Sequence, residues 1–189
     1  DMLLGYELGG YLHRAPWKPV WQRKGSEGGG VVTGSGGAFL VLESREHAEK
    51  RGRKAYATLG QVFSGRARRS QGELDSGINL LLDAAGLPQN DLLAVSGASG
   101  AHAATAAERA ALDARPNIAP RAFATLTGHL KEAQFPFTVA LAALAVANKA
   151  PYPAFDAGNE KPFEEIPDQV LATTVGYHRF EGVALVRAA

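Results

Sequence analysis

The stretch Thr125-Leu126-Thr127-Gly128-His129 leads into an apolar run that extends to about Asn148. Residues 130–148 read as a helix with almost no polar face, and His129 stands at its start. A helix that is apolar on nearly all sides is covered on all sides. One sheet covers only one flank, so a second domain or a partner chain is expected on the other. Pro136 falls near the first turns, where a proline is best tolerated. A titratable ring fixed to the end of such a helix is the one place where specific chemistry comes into view. The plainer alternative is a helix cap, because neutral imidazole both donates and accepts hydrogen bonds.

Working outward, apolar periods alternate between the two regular types. Residues 38–43, Ala-Phe-Leu-Val-Leu-Glu, read as a buried strand. Ser44 is a plausible N-cap for a helix over 45–51, with Gly52 as its stop. Residues 55–63 alternate as a strand does. Leu74, Ile78, Leu81 and Leu82 have helical spacing within 71–85, and Gly86 closes that helix. A short strand over 92–95, an alanine-rich helix over 101–115 and a strand over 121–125 follow. Pro151 and Pro153 mark a linker. Residues 170–175 and 182–187 read as a final antiparallel hairpin. Such alternation implies an α/β layered domain over 37–189. Residues 1–36 are broken by Pro16, Pro19 and the glycines between 25 and 37, and read as an irregular lead-in with one short helix over 2–11. Those glycines lack the lysine-serine ending of a phosphate loop, so they read as loop.

Composition narrows the function. The chain has 189 residues, enough for one large domain or half of a larger one. A formal net charge of +1 provides no overall field for nucleic acid or a membrane surface. There is no cysteine, which excludes disulfides, thiolate metal sites and a cysteine nucleophile on this chain. No His, Asp or Glu grouping has metal-ligand spacing, so neither metal nor cofactor is expected. The opening Asp1-Met-Leu-Leu-Gly-Tyr has no basic region followed by an apolar core, and the apolar run 133–147 is short for a membrane span. A cytoplasmic location is expected. The start at Asp1 points to a fragment or a trimmed chain.

Several motifs, taken in order, resemble the β-ketoacyl synthases. Gly34-Ser-Gly-Gly-Ala-Phe-Leu-Val-Leu-Glu43 followed by Glu46-His-Ala-Glu-Lys-Arg-Gly52 is similar to that family's Gly-Glu-Gly-Ala-Gly…Leu-Glu…His-Ala…Arg-Gly stretch. Leu81-Leu-Asp-Ala-Ala-Gly-Leu87 with Asp91 resembles its Ala-Gly-Leu helix end and following Asp. Thr127-Gly-His129 looks like the Thr-Gly-His that carries one active-site histidine, and Pro151-Tyr-Pro153 resembles its Ile-Pro-Pro. The resemblance implies a thiolase-type duplication, in which two similar halves sandwich buried helices. This chain corresponds to the C-terminal half, with a mixed sheet and a buried apolar helix. The nucleophilic cysteine would lie in the N-terminal half.

The departures from the family pattern bear on activity. Val95-Ser-Gly-Ala-Ser-Gly-Ala101 occupies the loop where the family has Asn-Ala-His-Gly-Thr, with Ala98 or Ser99 at the histidine position. His102 comes several residues late and begins the next helix. Ala124 stands at the family lysine. Gly176-Tyr-His-Arg-Phe-Glu-Gly182 replaces a loop with paired glycines. Condensation by this family needs donors fixed where enolate and oxyanion charge develops, and one missing donor costs about 100- to 1,000-fold. The resemblance therefore implies a degraded ketosynthase in the manner of a chain-length factor, with His129 as the one catalytic position retained. It also implies an acyl carrier protein as partner, and dimeric pairing with an N-terminal ketosynthase half or a second ketosynthase subunit. Two rivals stay open: an active condensing enzyme completed by the missing half, and a non-enzymatic docking scaffold. The clusters Arg51, Arg53, Lys54 and Arg66, Arg68, Arg69 are candidate docking sites for an acidic carrier protein. His13 and His47 have no constellation around them.

Overall fold

The computed structural model describes residues 2–69 and 72–189. Its centre is a five-stranded sheet in the order β1-β5-β4-β2-β3. The strands are β1 (Thr58–Gly65), β2 (Leu92–Ser96), β3 (Ile118–Ala122), β4 (Gln169–Val175) and β5 (Glu181–Arg187). β2 runs parallel to both β3 and β4. β5 runs antiparallel to β4 and to β1, so the sheet is mixed.

The central strands are apolar on both faces, as parallel strands covered by helices must be. Period-two alternation divides their side chains between two cores. Leu92, Ala94 and Leu171 join Leu74, Ile78 and Leu82 of helix α3 (Glu73–Ala84) and Ala104, Ala107 and Ala111 of helix α4 (His102–Asp113). Leu93, Val95, Val170 and Ala172 face Val139, Ala142, Ala145 and Val146 of helix α6 (Gln134–Asn148). Burial of each such leucine or valine contributes about 1.5–3 kcal/mol, so Leu93→Ala would cost about 2–5 kcal/mol.

The segment before residue 37 is woven into these cores. Helix α1 (Met2–Leu8) buries Tyr6, and a 3-10 turn at Val20–Arg23 buries Val20. Val31 is also buried. Two glycines permit this crossing. A Cβ at Gly30 would stand 1.8 Å from the Gly100 carbonyl, and one at Gly34 would stand 1.9 Å from the Thr127 carbonyl. The extended segment therefore braces both the loop after β2 and the loop before α6.

Three expectations need correction. Residues 38–43 form no strand and no other regular element, and Phe39, Val41 and Leu42 are 102%, 84% and 71% exposed. The expected strand over 121–125 lies at Ile118–Ala122, followed by a single helical turn, α5 (Ala124–Thr127). The apolar helix begins at Gln134, after a 3-10 turn at Lys131–Ala133, so His129 lies before its start. Pro136 takes its third position, where no intrahelical N–H is needed. One side of that helix packs on the sheet, and Leu144 on another is 44% exposed, as expected of a helix whose further cover lies outside this chain. Gln71, where the helix over 71–85 was expected to begin, lies outside the described residues, as does Asp1. The short helix Arg45–Lys50, α2, has the expected Ser44 cap, whose hydroxyl accepts from the His47 N–H.

Candidate functional site

Two loops at the carboxyl ends of β2 and β3 meet the N-terminal segment, and His129 sits where they converge. Gly128, at φ +72°, turns the chain after α5. The His129 N–H then donates to Val32 O at 2.7 Å, and Gly34 N–H donates to His129 O at 3.0 Å. This short parallel bridge fixes the His129 backbone between two segments far apart in the chain. Gln134, in the first turn of α6, joins the loops: its Oε1 accepts from Leu130 N–H at 2.7 Å and its Nε2 donates to Gly97 O at 3.2 Å.

The imidazole of His129 is 6% exposed. Tyr6 meets it edge to face with 6.3 Å between ring centroids, and Tyr177 does the same at 6.5 Å. The two tyrosine rings are 5.3 Å apart, so the three rings pack against one another. The Lys131 ammonium lies 5.2 Å from the Tyr6 ring centre. Burial lowers the His129 pKa below its ordinary value; Gln134 and the Glu132 carboxylate oppose this, and the Lys131 ammonium adds to it. The imidazole is therefore neutral at pH 7.

The loop after β2 offers no second imidazole. Ala98 and Ser99 are buried, and the Ser99 hydroxyl accepts from Ala101 N–H at 3.2 Å. His102 begins α4. His178 stacks on Tyr177 at 4.8 Å, toward the outer edge of the ring cluster. Ala124, at the position of the family lysine, is fully buried. The loop after β4 turns tightly, with Gly176 N–H donating to Phe180 O and Phe180 held at φ +67°. Arg69 donates to the Gly176 carbonyl and pairs with the buried Glu181 carboxylate. That pairing removes Arg69 from the expected docking cluster, while Arg66 lies over Phe180.

Beneath the first loop lies a buried carboxyl group, absent from the motifs that mark the histidine. Glu108 Oε1 accepts from Ser96 Oγ at 2.8 Å and from Thr173 Oγ1 at 2.6 Å, while its Oε2 has no partner. Burial pushes its pKa up to about 7, against the lowering effect of the Thr173 and Ser96 hydrogen bonds. Its position was legible: Ala104, Thr105, Ala107, Glu108, Ala111 and Leu112 form one buried helical stripe. Gln134 had a similar signal, as a polar residue in the first turn of an apolar helix. Tyr6 had none, because α1 is short and its docking is decided by residues far along the chain. Among the described residues, no group of three or more His, Asp or Glu side chains could hold a metal ion. No helix among them is long and apolar enough to cross a membrane.

No protein-family model matches the chain, and no curated protein matches it in sequence. Solved structures do match in fold. The ishigamide ketosynthase/chain length factor superposes over 100% of this chain and 51% of its own, with TM-score 0.73 and 20% identity. Ketosynthase twelve from the bacillaene polyketide synthase of Bacillus amyloliquefaciens covers 95% of this chain and 39% of its own, with TM-score 0.63 and 13% identity. A type II polyketide synthase ketosynthase, solved with its acyl-carrier protein and bound to the hexaketide, covers 78% of this chain and 42% of its own, with TM-score 0.55 and 20% identity. The chain spans about half the length of the first of these and less of the others. This mixed sheet, with helices on both faces, has the thiolase-like fold of the ketosynthases.

Proposed function

We propose that this chain is a ketosynthase-like protein of polyketide or fatty-acid biosynthesis whose condensing site is degraded, and that it works in a dimer in the manner of a chain-length factor. The observation that carries this reading is the loop after β2. By the resemblance Ala98 or Ser99 stands where the family has its second imidazole, and both residues are buried. With one donor gone, the expected loss in condensation is about 100- to 1,000-fold.

The partner surface is argued from exposure. Phe39, Val41 and Leu42 stand in water on a segment that joins no sheet, and α6 leaves Leu144 open. An exposed apolar segment with unpaired backbone groups is a ready site for pairing with another chain. A ketosynthase half or subunit that carries the cysteine would pair with this segment and cover the open side of α6. An acidic carrier protein would approach the assembly through exposed basic side chains such as Arg66 and Arg68.

Decarboxylation of a malonyl group carried on acyl carrier protein tests the role. The chain alone is expected to release no carbon dioxide. The native assembly is expected to release it, and His129→Ala in this chain leaves the rate unchanged. A loss of turnover in that variant would overturn the degraded-site reading in favour of an active condensing enzyme. The burial of a neutral His129 with an unpartnered Nδ1 is the observation that favours that second reading.

A further inference from the structure

His13, isolated in the sequence, has a built environment in the fold. Its Nδ1 lies 3.1 Å from the Gly29 carbonyl oxygen, and its Nε2 lies 3.1 Å from the Pro16 carbonyl oxygen. A carbonyl oxygen only accepts. A neutral imidazole carries one N–H and one lone pair, so in either tautomer one ring nitrogen would set its lone pair against an oxygen. The imidazolium carries two N–H groups and donates to both.

The two carbonyls belong to one loop. Residues 12–14 and 27–31 run side by side as its neck: Arg14 N–H donates to Glu27 O, Gly29 N–H to Leu12 O and His13 N–H to Val31 O. A Cβ at Gly29 would stand 2.1 Å from the Tyr11 carbonyl oxygen, so the neck is closely packed. The far end of the loop is the 3-10 turn Val20–Arg23, and it is docked. Val20 N–H donates to Thr125 Oγ1 at 3.1 Å, and Trp21 Nε1–H donates to Glu160 Oε1 at 2.9 Å. The Val20 side chain packs with Ala98 and Ala122. Charged groups along the neck are Arg14, ion-paired to Glu7 of α1, Lys18 and Glu27; among the described residues no carboxylate pairs with the His13 ring. At the docked end they are Arg23, Lys24, Asp156 and Glu160, with Glu108 beneath the loop after β2.

From this geometry we infer that His13 is a pH-sensitive clasp, whose protonation holds the neck shut and keeps the Val20–Arg23 turn docked on the loop after β2. Loss of one proton removes one of the two donated bonds and leaves a lone pair facing a carbonyl oxygen. Closing the neck and binding the proton favour one another, so the clasp holds at acidic pH and loosens as the ring gives up its proton. Nothing in the clasp depends on a partner chain or on the ketosynthase-like reading.

The test uses the full chain, labelled with 15N, from pH 5 to pH 8.5. Ring 1H–15N spectra follow the protonation of His13. Hydrogen exchange follows the Val20 amide and the Trp21 indole N–H, corrected for the intrinsic pH dependence of exchange. Protection of both is expected to fall roughly 5- to 10-fold as His13 becomes singly protonated, with one shared midpoint. His13→Gln cannot change charge and is expected to give protection that does not vary with pH. Burial pushes the Glu108 pKa up to about 7, so that group also changes charge in this range. Glu108→Gln separates the two and should leave the pH dependence in place. Constant protection in the unaltered chain, a midpoint that departs from that of His13, or a pH dependence lost in Glu108→Gln would overturn the inference. Should His13→Gln fail to fold, the midpoints measured in the unaltered chain and in Glu108→Gln decide the matter.

Discussion

Replacing Glu108 by glutamine should stabilise this protein at alkaline pH. Glu108 is 1% exposed, and its carboxyl pKa is pushed up to about 7 from an ordinary 4.5. In the unfolded chain the group ionises near 4.5, so between the two values the folded state holds a proton that the unfolded state has released. Stability therefore is fullest below about 4.5, falls as pH rises through about 7, and levels off above it. The gap between about 7 and 4.5, at about 1.36 kcal/mol per pH unit, amounts to roughly 3 kcal/mol. His129 acts with opposite sign: its lowered pKa costs stability only as pH falls below its ordinary 6.5. The comparison of the two proteins cancels that contribution. Glutamine keeps an oxygen for the Ser96 and Thr173 hydroxyls and carries no charge. Urea unfolding from pH 5 to pH 8.5 should show Glu108→Gln gaining on the unaltered protein as pH rises, by up to roughly 3 kcal/mol at the alkaline end. Parallel profiles, or a variant that loses ground above pH 7, would refute the claim that a buried acid is held protonated under this loop.

Gly34→Ala should destabilise the fold, since the new methyl would stand 1.9 Å from the Thr127 carbonyl and must displace the backbone beside His129; thermal unfolding and the His129 imidazole NMR signals would both shift, and an unchanged spectrum would count against the brace. Arg69→Ala leaves the Glu181 carboxylate, 2% exposed, without its cation, and should cost about 3 kcal/mol by chemical unfolding; the double change Arg69→Met with Glu181→Gln should recover much of that loss. Replacing Phe39, Val41 and Leu42 together by serine should leave the stability of the chain within about 0.5 kcal/mol, because these side chains already stand in water, yet should abolish pairing with a ketosynthase partner measured by analytical ultracentrifugation.

Where residues carry their own periodicity, the fold was legible. The apolar run at Leu92–Ser96 marks a strand buried on both faces, and the α4 stripe from Ala104 to Leu112 marks the packed side of a helix. The strand lies at 118–122 and takes in Pro120; β3 is an edge strand, where a proline is tolerated. Arg121 also sits in that strand with its guanidinium folded back onto the carbonyls of Tyr152 and Lys161. Residues 38–42 have the composition of a strand but no neighbouring strand among the described residues, so pattern alone assigned them a burial they do not have. The ring cluster around His129 was half legible. The histidine was found through its Thr-Gly-His context, but Tyr6 comes from α1 and Tyr177 from the loop after β4. No local pattern encodes contacts between segments so far apart in the chain.

If this chain is one part of a ketosynthase-like assembly, it is found with its other part. The most direct measurement is the mass of the native complex, with each component sequenced. The expected result is a stable pair in which the second component is a ketosynthase half or subunit bearing the nucleophilic cysteine. A lone monomer, with residues 38–42 and the outer side of α6 left open to water, would contradict it.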